Sequence, residues 1–193
     1  KFLNEFPTSP YAEKVSSYLV EVYMNTRSYD AALKSIDRIA KPSAQILEAK
    51  QKILFQLGTQ SFANADFEQA LKYLNQSIAI GQYNRQTKAD AYYWCGESYY
   101  RLSRMVEAAR DFNAYLQLTT QPNNEMYALA NYNLGYIAFH RKDYTQASNY
   151  FQKYVQLEKG ENATALADAY NRIGDCHLHV RNFEEAKQYY SQA

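Results

Sequence analysis

Residues 128–135 read Ala-Leu-Ala-Asn-Tyr-Asn-Leu-Gly, and this order of small, aromatic and glycine positions recurs on both sides of the stretch. A matching segment starts 39 residues earlier at Ala89, and another starts 39 residues later at Ala167. Weaker copies start at Glu13 and Gln51, so that the five starts are 38 or 39 residues apart. Self-similarity at a fixed period of this length is typical of proteins built from stacked structural repeats.

Each repeat has the pattern of a helical hairpin. In the repeat that starts at Ala128, Leu134, Ile137 and Ala138 have the three- and four-residue spacing of one helical face. Residues 147–155 continue with the same spacing, and a short polar segment at 141–143 separates the two runs. Short polar connections join antiparallel helices, so the sequence predicts an all-α fold of about five helical hairpins.

Two small residues are expected to set the distance between the paired helices. Gly135 lies on the first helix and Ala147 on the second. Glycine destabilises a helix interior by about 1 kcal/mol relative to alanine, so its presence predicts that the facing helix comes close there.

The predicted domain organisation is one solenoid fragment over residues 1–193. Its repeats are 13–50, 51–88, 89–127, 128–166 and 167–193, the last of them truncated, and residues 1–12 are expected to be the tail of a preceding repeat and its junction. Helix breakers, including Pro42, Gly81, Pro122 and Gly160, lie between repeats and do not mark domain boundaries. Both ends are expected to be cut from a longer protein.

Residues 130–135, together with Lys142-Asp143-Tyr144-Thr145-Gln146-Ala147, closely resemble the tetratricopeptide repeat. The resemblance extends over nearly the whole chain and implies a right-handed α-solenoid that binds a protein or a peptide. The family period is about 34 residues, so each repeat here has four or five extra residues. They correspond to about one helical turn or to a longer loop.

In this family the first helix of each hairpin lines a concave groove, and the matching positions give ten candidate partner-binding residues. These are Phe55, Phe62, Tyr93, Trp94, Glu97, Tyr100, Tyr132, Tyr136, Phe139 and Arg172. Aromatic side chains are enriched at binding hot spots, whereas the alternative is that they pack between neighbouring first helices. The Lys and Asn with which some family members bind carboxylates are absent, since Tyr93 and Glu97 occupy one such pair of positions.

Residues 6–12 read Phe-Pro-Thr-Ser-Pro-Tyr-Ala, which is similar to the junction in periplasmic bacterial repeat proteins. That group includes the outer-membrane barrel-assembly lipoprotein and the Tol–Pal-associated coordinator of cell division. The resemblance implies the bacterial periplasm or envelope as the location, with the cytoplasm as the alternative.

Composition and motifs argue against several other functions. Twenty-one basic residues against 20 acidic ones give a net charge of +1, without the clustered basic surface that nucleic acid requires. No apolar run is long enough for a transmembrane helix. No catalytic, phosphate-binding or metal motif occurs, so no cofactor, metal or small-molecule substrate is expected. Cys95 and Cys176 are expected to be buried free thiols.

The leading functional prediction is a non-enzymatic scaffold for protein–protein interaction with an aromatic groove. Two alternatives remain open at this stage. One is a structural or assembly module of a bacterial envelope complex, and the other is the targeting arm of a larger protein.

Overall fold

A computed structural model describes all residues from Lys1 to Ala193, and it contains eleven α-helices and no β-strand. The predicted all-α class is confirmed. The helices are α1 Phe2–Glu5, α2 Ala12–Asn25, α3 Tyr29–Asp37, α4 Ala44–Ala63, α5 Phe67–Ala79, α6 Arg85–Arg101, α7 Met105–Leu118, α8 Glu125–His140, α9 Tyr144–Leu157, α10 Ala163–His179 and α11 Phe183–Tyr190, with a short 3-10 helix at Gly81–Tyr83.

The chain forms two compact units, an N-terminal unit over Lys1–Arg104 and a C-terminal unit over Met105–Ala193. In the N-terminal unit α2 packs on α3 and α4 on α5, and the hairpins are stacked through the contacts of α3 with α4 and of α5 with α6. In the C-terminal unit α8 packs on α9 and α10 on α11, with further contacts of α7 with α8 and of α9 with α10. Each unit therefore consists of adjacent helices in the order that the repeat pattern predicts.

The turns between paired helices repeat with the period of the sequence. One non-glycine residue in each turn has a left-handed backbone, and these residues are Arg27, Ala65, Ser103, Lys142 and Arg181. In the fourth turn the Asp143 N–H donates to the Ala138 carbonyl at 3.0 Å, and the Lys142 N–H donates to the Phe139 carbonyl at 2.9 Å. This pair of bonds is the Schellman motif, which satisfies the last carbonyls of a helix. The left-handed residues are 38 or 39 positions apart, like the repeat starts.

The extra residues of each repeat lie mainly at the beginning of the first helix. Helices α4, α6, α8 and α10 begin seven, four, three and four residues before the repeat starts read from the sequence. Each beginning is capped by a polar side chain that accepts from the backbone N–H three residues later, and the caps are Ser43, Asn84, Asn124 and Asn162. Such caps stabilise a helix by about 1 kcal/mol. The extra residues therefore lengthen the first helices by about one turn.

Small residues bring the paired helices together as predicted. A Cβ atom at Gly135 would lie 2.8 Å from the ring of Phe151, which is completely buried. At the corresponding place in the N-terminal unit, a Cβ atom at Gly58 would lie 2.6 Å from the side chain of Leu74. Ala147, the small residue on the second helix, is also fully buried. The close approach of the helices leaves no room for a larger side chain at either glycine.

Candidate partner-binding faces

The candidate residues lie on different first helices in the two units and form one face in each unit. The N-terminal face is the surface of α4 and α6 that carries Phe55, Phe62, Trp94, Glu97, Tyr100 and Arg101. The C-terminal face is the surface of α8 and α10 that carries Tyr132, Tyr136, Phe139, Asp168, Arg172 and Asp175.

Ring contacts hold the N-terminal face together. The rings of Phe62 on α4 and Trp94 on α6 meet edge to face with their centroids 4.9 Å apart. The guanidinium carbon of Arg101 lies 5.9 Å from the centre of the Phe62 ring. Edge-to-face pairs and cation–π contacts add to the stability that burial provides, and they fix the orientation of the rings. Phe62 and Trp94 are both partly exposed.

Tyr93 corrects one expectation from the sequence. Only 3% of its surface is exposed, so it is buried and does not line an open surface. Its hydroxyl donates to Glu97 Oε1 at 3.1 Å, and its ring touches Trp94 with centroids 5.2 Å apart. The alternative interpretation, packing between neighbouring helices, is the right one for this residue.

Phe55 and Tyr100 lie at the N-terminal face but outside its ring cluster. Both are partly exposed, and neither makes a ring–ring contact. Burial raises the pKa of Tyr100, and the nearby charge of Glu97 raises it further. The phenol is therefore neutral at ordinary pH and can act as a hydrogen-bond donor.

A hydrogen-bonded network organises the C-terminal face, and Asp168 is its centre. Asp168 Oδ2 accepts from the Tyr132 hydroxyl at 2.8 Å and also from the Tyr136 hydroxyl. The other oxygen of the carboxylate lies 3.6 Å from Arg172 Nε. Because the tyrosines are on α8 and the carboxylate is on α10, these bonds join neighbouring first helices.

The network continues along α10 to α11. Arg172 Nη1 lies 2.7 Å from Asp175 Oδ2, and the Tyr190 hydroxyl donates to Asp175 Oδ1 at 2.6 Å. The Arg172 guanidinium carbon is 5.9 Å from the centre of the Phe139 ring. Arg172 is thus held between two carboxylates and an aromatic ring.

Burial and the carboxylates keep the tyrosines of this face protonated. Burial raises the pKa of Tyr136 to about 12, with a further contribution from its hydrogen bond to Asp168. Burial and the same carboxylate raise the pKa of Tyr132 as well. An ionised carboxylate can only accept hydrogen bonds, and its charge stabilises the protonated form of a phenol that donates to it. The hydrogens of both phenols therefore point towards Asp168.

Asp168 is not among the site residues predicted from the sequence. It is the second residue of the repeat that starts at Ala167, which is a groove position in the family, and it lies four residues before Arg172. That spacing places the two side chains on one helical face and was a signal for an ion pair. The bonds from Tyr132 and Tyr136 had no comparable signal, because they depend on how α8 and α10 stack.

The cysteine and histidine side chains lie in separate surroundings. Cys95 and Cys176 are buried free thiols, as expected, and burial raises the pKa of Cys176 to about 11. His177 stacks on Tyr189 and His179 stacks on Tyr144, so the two imidazoles have different surroundings. No group of three His, Cys, Asp or Glu residues is placed to hold a metal ion. No helix combines the length and the apolar character needed to cross a bilayer.

The two units also differ in charge. The N-terminal unit has 13 basic and 10 acidic residues, which gives a net charge of +3. The C-terminal unit has 8 basic and 10 acidic residues, which gives −2. The nearly neutral whole chain is therefore the sum of two units of opposite sign.

Tandem helical hairpins with small residues at their helix contacts define this chain as a helical repeat protein. Two tetratricopeptide repeat profiles match residues 55–125 and 125–193, so that together they span more than half of the chain. The chain belongs to the tetratricopeptide repeat family. Repeats of this family are generally non-catalytic modules for protein–protein interaction. No curated protein sequence matches the chain.

Several solved structures share the fold. MamA from Desulfovibrio magneticus RS-1 is 16% identical, with a TM-score of 0.58 over 94% of this chain and 92% of that chain. YrrB, described as a TPR protein with an unusual peptide-binding site, is 16% identical, with a TM-score of 0.59 over 88% and 78%. BtubC from P. vanneervenii is 13% identical, with a TM-score of 0.62 over 92% and 76%. At these identities the likeness establishes the fold alone.

Proposed function

We propose that this chain is a non-enzymatic scaffold that holds a segment of a partner protein against its aromatic first-helix faces. The observation that carries the proposal is that aromatic rings on the first helices stay partly exposed while they pack against the buried residues of the hydrophobic cores. Phe62 with Trp94 represents the N-terminal face, and Tyr132 with Tyr136 represents the C-terminal face.

The arrangement of these rings supports binding because it is already fixed. The Tyr136 ring meets Phe151 edge to face at 5.2 Å, and its hydroxyl is bonded to Asp168. Trp94 is held between Phe62 and Tyr93. A ring that is held in place before binding loses little conformational entropy when a partner covers it, so more of the contact energy appears as affinity.

A second candidate function is a structural or assembly module, with the bacterial envelope as its predicted location. Exposed apolar side chains on α10, on α11 and in the turn between them favour this candidate. The exposed fractions are 47% for Leu178, 48% for Val180 and 61% for Phe183. Light scattering separates the candidates, because a stable oligomer supports assembly and a monomer supports peptide capture by the faces.

A peptide-display selection on the whole chain tests the proposed function. The library is a set of random 16-residue peptides, and the two variants are Trp94→Ala in the N-terminal face and Tyr136→Ala in the C-terminal face. The control is Val106→Ala, because Val106 is 69% exposed and lies on the second helix α7. Circular dichroism of each variant confirms that its helical content is retained.

The expected result is that each selected peptide loses about tenfold in affinity for one of the two face variants and binds the control like the original chain. Peptides that bind all three variants equally well would remove the basis of the proposal. So would a selection that enriches no peptide.

A further inference from the structure

The phenol hydrogens of the C-terminal face are already used within the protein. The Tyr132 and Tyr136 hydroxyls both donate to Asp168, and the Tyr190 hydroxyl donates to Asp175. The cation of the face, Arg172, is paired with both carboxylates. A partner therefore finds none of the three phenol hydrogens available unless it breaks an existing bond.

Acceptors remain on the same face. A phenol oxygen that donates its hydrogen keeps its lone pairs, and a carboxylate offers about four acceptor positions. The side chains of Asp168 and Asp175 are 33% and 26% exposed, so solvent or a partner reaches them. The two carboxylates carry two negative charges against the single positive charge of Arg172, which leaves this part of the face negative.

The aromatic rings add a second attraction of the same sign. The face of an aromatic ring is electrostatically negative and attracts a guanidinium or an ammonium group. Arg172 above Phe139 already makes such a contact within the protein. The rings of Tyr132 and Tyr136 are partly exposed and stand 5.2 Å apart. They can contact the aliphatic part and the charged head of one long basic side chain.

From this charge complementarity we infer that the C-terminal face recognises a positively charged segment of a partner polypeptide, with arginine or lysine side chains directed at Asp168 and Asp175. The inference rests on the proposed function and states the chemistry of the partner at one of its two faces. The net charge of −2 on the C-terminal unit favours the encounter with such a segment. In this mode the protein supplies the carboxylates and the partner supplies the cations. In the family members that bind carboxylates through Lys and Asn, the charges are the other way round.

The test uses the whole chain and the most strongly enriched 16-residue peptide whose capture is lost in Tyr136→Ala. Fluorescence anisotropy measures the affinity of three synthetic versions of this peptide. They are the selected sequence, the same sequence with each arginine replaced by citrulline and each lysine by glutamine, and the same sequence with these positions replaced by glutamate. Citrulline keeps the shape of arginine and removes its charge.

The protein variants are Asp168→Asn with Asp175→Asn, and as a matched control Glu184→Gln with Glu185→Gln. Both pairs remove two negative charges from the C-terminal unit, but the control residues are exposed on α11. We expect a selected peptide rich in arginine or lysine whose affinity falls about tenfold with citrulline and in the Asp168/Asp175 variant. We expect less than about a twofold change in the control and weaker binding at high salt.

The outcomes separate the two proposals. If the selected peptides depend on Tyr136 but are neutral or acidic, or if citrulline does not change their affinity, the inference is overturned and the proposed function stands. If no selected peptide depends on Trp94 or Tyr136, both proposals fail. The citrulline comparison uses the unaltered protein, so it decides the question even if the Asp168/Asp175 variant does not fold.

Discussion

The same two repeat positions have different chemistry in the two units. In the C-terminal unit, the second position of one repeat holds Asp168, and the fifth position of the preceding repeat holds Tyr132, whose hydroxyl donates to it at 2.8 Å. In the N-terminal unit the corresponding residues are Asp90 and Phe55. Phe55 has no hydroxyl, and Asp90 instead accepts from Gln86 of its own helix at 2.7 Å.

The phenol oxygen that Tyr132 has and Phe55 lacks changes the hydrogen bonding of the neighbouring carboxylate. With tyrosine at the fifth position, the carboxylate joins two first helices and stays in a polar network. With phenylalanine there, the carboxylate is bonded only within its own helix, and burial raises the pKa of Asp90. The fold sets the positions, and the side chains that meet between helices decide whether a face is polar or aromatic.

The largest expected effect breaks the network at its centre. Asp168→Ala removes the acceptor of two tyrosine hydroxyls and one partner of Arg172. Three half-buried polar groups then lose their contact with the Asp168 carboxylate. Allowing for its partial exposure, we expect the free energy of unfolding of the C-terminal unit to fall by about 2 kcal/mol. Urea denaturation with hydrogen exchange resolved by unit measures this change.

The matched substitution in the N-terminal unit is Asp90→Ala. Burial already disfavours the charged carboxylate of Asp90, so its removal should change the stability by less than about 1 kcal/mol. Equal losses for the two substitutions would contradict the contrast between the faces.

The second prediction concerns alkaline pH. Tyr136 has a folded-state pKa raised to about 12, above the ordinary value near 10. Its neutral form therefore stabilises the fold fully below about pH 10, and this contribution is lost as the pH rises towards about 12. Because the phenol is half exposed, we expect a loss of roughly 1 kcal/mol in the C-terminal unit.

Thermal unfolding followed between pH 9 and 12, with tyrosinate absorbance, checks this prediction. Tyr132→Phe combined with Tyr136→Phe should reduce the pH dependence, since neither ring can then ionise, whereas Tyr190, whose pKa is also raised to about 12, still contributes. An unchanged slope in this double variant would show that other tyrosines are responsible.

The third prediction transfers the chemistry of one face to the other. Phe55→Tyr places a hydroxyl at the N-terminal position that corresponds to Tyr132. If the corresponding bond forms, the hydroxyl donates to Asp90, lowers the pKa of that carboxyl group and stabilises the N-terminal unit by about 0.5–1 kcal/mol. Carboxyl titration by NMR and urea denaturation measure the two effects, and a pKa of Asp90 that stays where it was would refute the transfer.

The smallest effect should be the same in both units. Ala65 and Lys142 have left-handed backbones in corresponding turns, with φ of 59° and 62°. Glycine adopts this conformation without the strain that a Cβ atom causes, but it also makes the unfolded chain more flexible. We expect Ala65→Gly and Lys142→Gly each to raise the free energy of unfolding by about 0.5 kcal/mol. Thermal melts of the two variants test whether the units differ only in their faces.

The sequence predicted the hairpins because their determinants are local and repeated. The small residues Gly135 and Ala147 occupy fixed places, and the apolar spacing around them has the helical period. That the first helices carry the partner-binding residues stays a prediction. Since periodicity assigns a residue to a side of a helix but not to a depth, it could not distinguish Tyr93, which is buried, from Tyr132, which is partly exposed at the corresponding position.

The network around Asp168 was beyond the reach of the sequence for a related reason. Its bonds join α8 and α10, so they depend on the rotation and stacking of two helices. A tyrosine and an aspartate 36 residues apart have no pattern that marks them as partners. Only the ion pair of Asp168 with Arg172 could be expected from the sequence, because the two residues are four positions apart on one helix.

The additional turn at the beginning of the first helices has a geometric consequence for whatever these faces bind. Four more helical residues lengthen a helix by about 6 Å, which is close to the length of two residues of an extended chain. The hairpins that begin with α4, α6, α8 and α10 thus present a longer strip of surface than a hairpin of the 34-residue repeat does. A ligand that runs across the first helices crosses the same number of helices whether or not they are lengthened. A ligand that runs parallel to a lengthened first helix gains about one more turn of contact with that helix.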